Sequence, residues 1–168
     1  KVITTGGGGM VLCKNATSGA RVKHITTTAK TPHSYEFHHD EPGFNYRMPN
    51  LNAALGCAQM EVLDDYLVRK RGLADKYKRL FEGGDYQFVV EPDYAKSNYW
   101  LNAIICPSVE ARNDLLKQTN VKGVMTRPVW QLMHRLPMFS DCLRGDLRVS
   151  EKLESTVVNL PSSPTSIE

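Results

Sequence analysis

The chain has 168 residues, of which 41% are hydrophobic and 23% charged, with 21 basic residues set against 18 acidic ones for a net charge of +3. That composition belongs to a globular chain able to bury a core and excludes a disordered one. The small, interspersed charge argues against nucleic acid as a partner, and no apolar run approaches the ~18 residues of a membrane span. There is no signal-peptide pattern at the start.

Lys1-Val2-Ile3-Thr4-Thr5-Gly6-Gly7-Gly8-Gly9-Met10-Val11-Leu12 predicts a hairpin: a β-branched run, a glycine turn and a second apolar run. The glycines permit positive φ and close approach of other groups to the backbone. No Lys-Ser/Thr pair follows them, which excludes a phosphate-binding P-loop and a nucleotide triphosphatase. A chain that opens inside an apparent strand is expected to be a fragment.

Lys14-Asn15 predicts a turn and Ala16–His24 a short helix, weakened by about 1 kcal/mol at Gly19 relative to alanine. Residues 25–50 lack periodicity and carry Pro32, Pro42, Pro49 and Gly43, so they predict a long ordered loop of functional character. His33, His38, His39 and Asp40 are metal-ligating types, but their spacing matches no standard site; they are expected to pair with neighbours or water, and no metal is expected.

Leu51–Phe81 predicts one long helix. Leu51, Leu55, Ala58, Val62, Tyr66, Leu73, Tyr77 and Leu80 form its core-facing stripe. Asn50 or Asn52 is the expected cap, Asp65–Arg69 and Asp75–Arg79 are outer-face pairs, Gly72 the expected bend, and Gly83-Gly84 the end. Tyr86–Val90 and Tyr99–Cys106 predict antiparallel strands. Ser108 caps a helix over Val109–Asn120, Gly123–Arg127 returns as a strand, and Leu147–Ser155 forms a last helix ahead of Val157–Leu160. Helices against an antiparallel sheet make this part α+β. Cys13, Cys57, Cys106 and Cys142 form no CxxC pair and predict reduced, mostly buried thiols in a cytoplasmic protein.

Three stretches add a resemblance. Lys-x-Ile-Thr-Thr-Gly-x-Gly-Gly at the start is similar to the lysine segment of the pyridoxal-phosphate sugar aminotransferases of the DegT/DnrJ/EryC1/StrS family, with Gly7 standing where many members carry an acidic residue. Gly43-Phe44-Asn45-Tyr46-Arg47-Met48 resembles the family's second motif. Met125-Thr126-Arg127-Pro128-Val129-Trp130-Gln131-Leu132-Met133-His134-Arg135-Leu136-Pro137-Met138-Phe139 resembles its Pro-x-His-x-x-Pro-aromatic segment, in a version similar to enzymes of bacillosamine and legionaminic acid synthesis. The Leu-Pro-Ser-Ser-Pro close at residues 160–164 is similar to the same subgroup.

The resemblance implies an α/β chain, the C-terminal half of a fold-type-I pyridoxal-phosphate aminotransferase. Residues 1–30 would end the large cofactor domain, 31–50 would be an interface and active-site loop, and 51–168 the small α+β domain with an antiparallel sheet. It implies amino transfer from glutamate to C4 of a UDP-linked 4-keto-6-deoxy-N-acetylhexosamine for surface-polysaccharide or glycan synthesis, in a homodimer with a shared active site. Lys1 would be the catalytic, Schiff-base lysine. Asn45 would reach the cofactor phosphate of the neighbouring subunit, and Arg47, with a less defined role, would contact substrate.

In the third motif Arg127 and Arg135 are of the type that pairs with a diphosphate, Trp130 that stacks, and His134 that hydrogen-bonds sugar or phosphate. The alternative for that loop is simple packing, with Trp130 and Leu132 in the core. Some relatives replace the lysine by histidine and dehydrate their sugar; Lys1 argues against that chemistry. The reading from a different class is an inactive fragment, or a dimerisation or binding module of such an enzyme.

Overall fold

A computed structural model describes residues 1–164. Its contacts fall into two compact units, one of Lys1 with Ile3–Leu63 and the other of Val2 with the residues from Asp64 on. Among the described residues no helix is long and apolar enough to cross a membrane.

In the first unit the predicted hairpin is absent, and residues 1–15 form no strand. A hairpin needs its two arms to satisfy each other's peptide groups. Here side chains take them instead: Asn52 Nδ2 donates to the Thr5 carbonyl at 2.5 Å and to that of Gly7 at 3.3 Å, while Thr4 N–H donates to Gln59 Oε1 at 3.2 Å. Gly6 and Gly8 adopt φ of 76° and 130°, which lets the chain turn beside a helix without returning on itself.

Helix α1, Ala16–Thr26, starts at Asn15, whose side chain accepts from Ser18 N–H at 2.8 Å. It runs two residues past the predicted end, closed by Thr28 and Ala29 in the left-handed region. Inside the predicted loop lies a small antiparallel ribbon, β1 (Lys30–Thr31) with β2 (His38–His39).

The predicted 31-residue helix is two: α2, Asn50–Glu61, and α3, Leu63–Leu80, broken at Val62 and not at Gly72. The apolar period continues through Val62, so the break left no mark in the pattern. The N-cap of α2 is Pro49, without a side-chain bond; Asn52 is occupied by Thr5 and Gly7. Helix α2 belongs to the first unit, tied to the N-terminal segment through Asn52 and Gln59. Leu51, at the head of the predicted core stripe, is 86% exposed.

The second unit is a four-stranded antiparallel sheet in the order β3 (Gln87–Phe88), β4 (Asn102–Ile105), β6 (Val157–Leu160), β5 (Arg127–Pro128). Ile104 and Val158 are fully buried at its centre with Phe88, Cys106 and Leu160, against Ala74 and Tyr77 of α3 and Leu115 and Leu116 of α4 (Val109–Val121). Ser108 caps α4 by accepting from Ala111 N–H, and Gly123 ends it at φ 76°. Helix α5, Arg148–Thr156, runs directly into β6, a central strand to which the sequence reading assigns no element.

Of the predicted pairs on α3, Asp65 and Arg69 meet at 2.8 Å, whereas Arg79 Nε donates to the Asp75 carbonyl. Cys106 alone is buried; Cys13, Cys57 and Cys142 are exposed, against expectation. All four are free, and the three exposed ones lie on the glycine segment, α2 and the loop before α5, outside the sheet core.

Arg71 and Glu91 hold the loop between β3 and β4. Arg71 donates to both Glu91 oxygens at 2.6 and 2.9 Å, and Ser97 N–H donates to the same carboxylate at 2.5 Å. Arg71 first, and the Ser97 amide second, bring the Glu91 carboxyl down to about 2. Because the folded value lies below the unfolded one near 4.5, its stabilisation is present above that pH and disappears as pH falls toward 2. Denaturant titrations from pH 6 to 2 should show wild type losing more stability than Glu91→Gln across the 4.5–2 interval. Parallel curves for the two proteins would contradict the assignment.

Candidate functional site

In the first unit the glycine segment walls a cavity of about 960 Å³. Gly7–Gly9 form one side, Val22 and Lys23 of α1 another, and Tyr46, Arg47 and Asn52 the rest. A Cβ on Gly8 would lie 3.0 Å from Met48 Cε, so a side chain there would press on that wall. The cavity brings together two cations, Lys23 and Arg47, beside glycine backbone, a donor set suited to an anionic group. Arg47 lines it; Lys1 and Asn45, both exposed, do not.

Asn45 is placed by backbone pairing. Thr27 and Asn45 form an isolated antiparallel bridge, flanked by Phe44 N–H donating to the Ile25 carbonyl at 2.7 Å and Tyr46 N–H to that of Thr26 at 2.9 Å. Alternation along an extended run puts Phe44 and Tyr46 on one side, where their rings stack at 5.4 Å, and Asn45 on the other. The run can close on the end of α1 because residue 43 is glycine: a Cβ there would sit 2.5 Å from Ala29 N and collide with the Thr28 carbonyl carbon.

Polar side chains complete this corner. Arg21 forms a bidentate pair with Glu41, His24 Nε2 meets Asp40 at 2.7 Å, and His39 Nδ1 meets the Thr28 carbonyl at 2.7 Å. The hydrogen bond from His24 lowers the Asp40 carboxyl and that from Arg21 lowers Glu41. His38 pairs with Glu36 at 2.7 Å. Two clusters of metal-ligating type thus exist, His24–Asp40–Glu41 and His33–Glu36–His38. In the first, Arg21 already occupies Glu41; in the second, His33 Nδ1 accepts from Glu36 N–H at 3.0 Å.

The second unit gathers only part of the third motif. Arg127 and Trp130 line a cavity of about 690 Å³ together with Trp100, Met125, Pro128 and Ser162. Trp130, 70% exposed, is not in the core; its ring stacks on Trp100 at 6.4 Å with 25° between the planes. His134 and Arg135 lie elsewhere, in a 3-10 turn over Met133–Arg135 held by α5. Glu151 stands 3.4 Å from His134 and 3.6 Å from Arg135, while Glu154 pairs with Arg135 at 2.8 Å and accepts from Leu132 N–H.

The expected grouping of Arg127, Trp130 and His134 therefore splits, since His134 lines a separate recess with Phe139, Cys142 and Leu147. Arg135, expected beside Arg127, is engaged by the two α5 carboxylates. Trp100 and Lys23 were not singled out from the sequence. Trp100 stands inside a run that reads as strand, and Lys23 is one of many surface-type lysines, so neither carried a signal.

Gly43→Ala should destabilise the protein by at least about 1–3 kcal/mol, the range for forced overpacking, because the atoms in the way are backbone. Thermal and urea denaturation measure this directly; a variant as stable as wild type would contradict the close approach of residues 43 and 28–29.

Residues 1–166 match the model of the DegT/DnrJ/EryC1/StrS aminotransferase family. The chain is 36% identical over 165 residues to the GDP-perosamine synthase of Escherichia coli O157:H7, covering 98% of this chain and 44% of that protein. It is 31% identical over 170 residues to the GDP-perosamine synthase of Vibrio cholerae, covering 98% and 45%. The chain thus spans less than half the length of these curated relatives.

Among solved structures it superposes on Helicobacter pylori PseC, an aminotransferase involved in the biosynthesis of pseudoaminic acid, with a TM-score of 0.86 at 19% identity, covering 98% of this chain and 46% of that one. The aminotransferase TlmJ of Streptoalloteichus hindustanus gives a TM-score of 0.89 at 19% identity, covering 100% and 46%. These likenesses show a shared fold.

Proposed function

The chain belongs to the DegT/DnrJ/EryC1/StrS aminotransferase family, and on that premise we propose that it carries the lysine-bearing portion of a pyridoxal-phosphate sugar aminotransferase. The reaction would move an amino group from glutamate to C4 of a nucleotide-linked 4-keto-6-deoxy sugar. The observation that carries this reading is the family match across 1–166, with Lys1 at the head of a glycine segment that walls an anion-suited cavity.

The residues present fit the cofactor by their chemistry. Lys1 offers a primary amine for its aldehyde, Asn45 an amide for its phosphate, and Lys23 and Arg47 supply positive charge beside glycines that leave room for a close approach. When bound, pyridoxal phosphate supplies the aldehyde and the electron-withdrawing ring. Lys1 Nζ would then take a proton and return it, the general acid–base role of a lysine amine. Asn45 would act from a second copy of the chain in a homodimer. Arg47 would contact substrate, Arg127 would pair with a phosphoryl oxygen, and Trp130 would give a flat apolar face to a ring. His134, held against Glu151, would act on substrate only from its separate recess.

For the sugar nucleotide, the third motif favours a UDP-linked N-acetylhexosamine. The identity to two proteins named GDP-perosamine synthase favours a GDP-linked sugar as the second reading. In the full-length protein, Lys1→Arg should abolish the visible absorbance of the loaded enzyme and lower turnover by at least ~10²–10⁴-fold, the scale of a lost general acid–base. Turnover at the wild-type rate would overturn the assignment. Parallel assays with UDP- and GDP-linked 4-keto sugars separate the two substrate readings.

A further inference from the structure

The β4–β6 ladder ends at the pair Asn102–Leu160. Continuing that register would set Trp100 opposite Ser162, but there the ladder gives way to side chains. Ser162 Oγ accepts from Asn102 N–H at 2.8 Å and donates to the Leu160 carbonyl at 2.7 Å, taking the place of a backbone partner. The carbonyls of Trp100 and Ser162 are both met by one group, the ammonium of Lys70 from α3, at 3.2 and 2.6 Å.

Lys70 is only 3% exposed, and among the described residues no carboxylate pairs with it. Burial pushes its pKa down. An ammonium placed on two carbonyls in this way fixes the separation of the two segments that carry them. Both Trp100 and Ser162 line the cavity that also holds Arg127 and Trp130, and Trp100 is the face on which Trp130 stacks.

We propose that Lys70 is a positioning residue, which spaces Trp100 from the Ser162 edge and so sets the aromatic wall that receives a ring of the sugar nucleotide. This rests on the reading that the Arg127–Trp130 cavity takes part of that substrate. Lys70 does not touch the ligand; it acts through the two main-chain carbonyls. A leucine or methionine at 70 would fill the space yet remove the ammonium from the Trp100 and Ser162 carbonyls, and the wall would shift.

The test uses the full-length protein and titrates UDP and GDP by calorimetry and tryptophan quenching. Wild type should bind at least one of them, and W130A and W100A should each weaken it roughly three- to tenfold, the worth of one aromatic face. K70M should weaken binding by a similar factor and change the near-ultraviolet circular dichroism of the coupled tryptophans, with far-ultraviolet dichroism retained. K70R, which keeps the charge and the donors, should restore both.

If W130A weakens binding but K70M matches wild type in affinity and near-ultraviolet spectrum, the role of Lys70 is overturned and the cavity reading stands. If W130A and W100A bind as wild type does, or wild type binds neither nucleotide, the cavity reading fails and this inference with it. Should K70M not fold, K70R and W100A decide: W100A must weaken binding and K70R must not, and any other pattern overturns the proposal.

Discussion

A peptide group withdrawn from water has to find a partner, and in each unit side chains supply it where strand ladders stop. At the glycine segment, Asn52 and Gln59 of α2 take the peptide groups that no neighbouring strand takes. At the end of β4 and β6, Ser162 and Lys70 do so. Each substitution of side chain for backbone leaves the chain open enough for a cavity beside it, and the two candidate sites lie in those two places. Regular structure supplies the frame, and its interruptions supply the concave surface.

The same economy explains residues 43–46. Their amides close onto the end of α1 through a short stretch of pairing that only a glycine at 43 permits, and this backbone pairing places Asn45. On the far side of the turn Arg21, His24, Glu41 and Asp40 tie α1 to the loop with exposed ion pairs, which contribute little individually and mainly fix geometry.

Elements with local instructions were legible in the sequence. Asn15 and Ser108 announce the starts of α1 and α4, Gly123 announces an end, and the β-rich runs around Phe88 and Ile104 announce a pair of strands. What depended on distant partners was not. Val157–Leu160 is too short to distinguish itself, yet becomes central because β4 and β5 pair with it on either side. The break at Val62 falls within an unbroken apolar period, and the glycine run looks like a hairpin until Asn52 is seen to occupy its carbonyls.

The third motif shows the same limit, since fifteen consecutive residues divide between the Trp130 cavity and the Glu151–Glu154 anchor of His134 and Arg135. Of the candidate site, Arg127, Trp130 and Arg47 were recognisable from type and motif. Trp100 and Lys70 became visible only when folding set Trp100 on the cavity wall and the Lys70 ammonium on its carbonyl.

The proposed function turns on attachment of the cofactor to Lys1. The direct measurement is to load the full-length protein with pyridoxal phosphate, reduce it with borohydride, digest it and map the pyridoxyl mass by peptide sequencing. One label per chain is expected, on Lys1. A label on another lysine such as Lys23, with Lys1 unmodified, would contradict it.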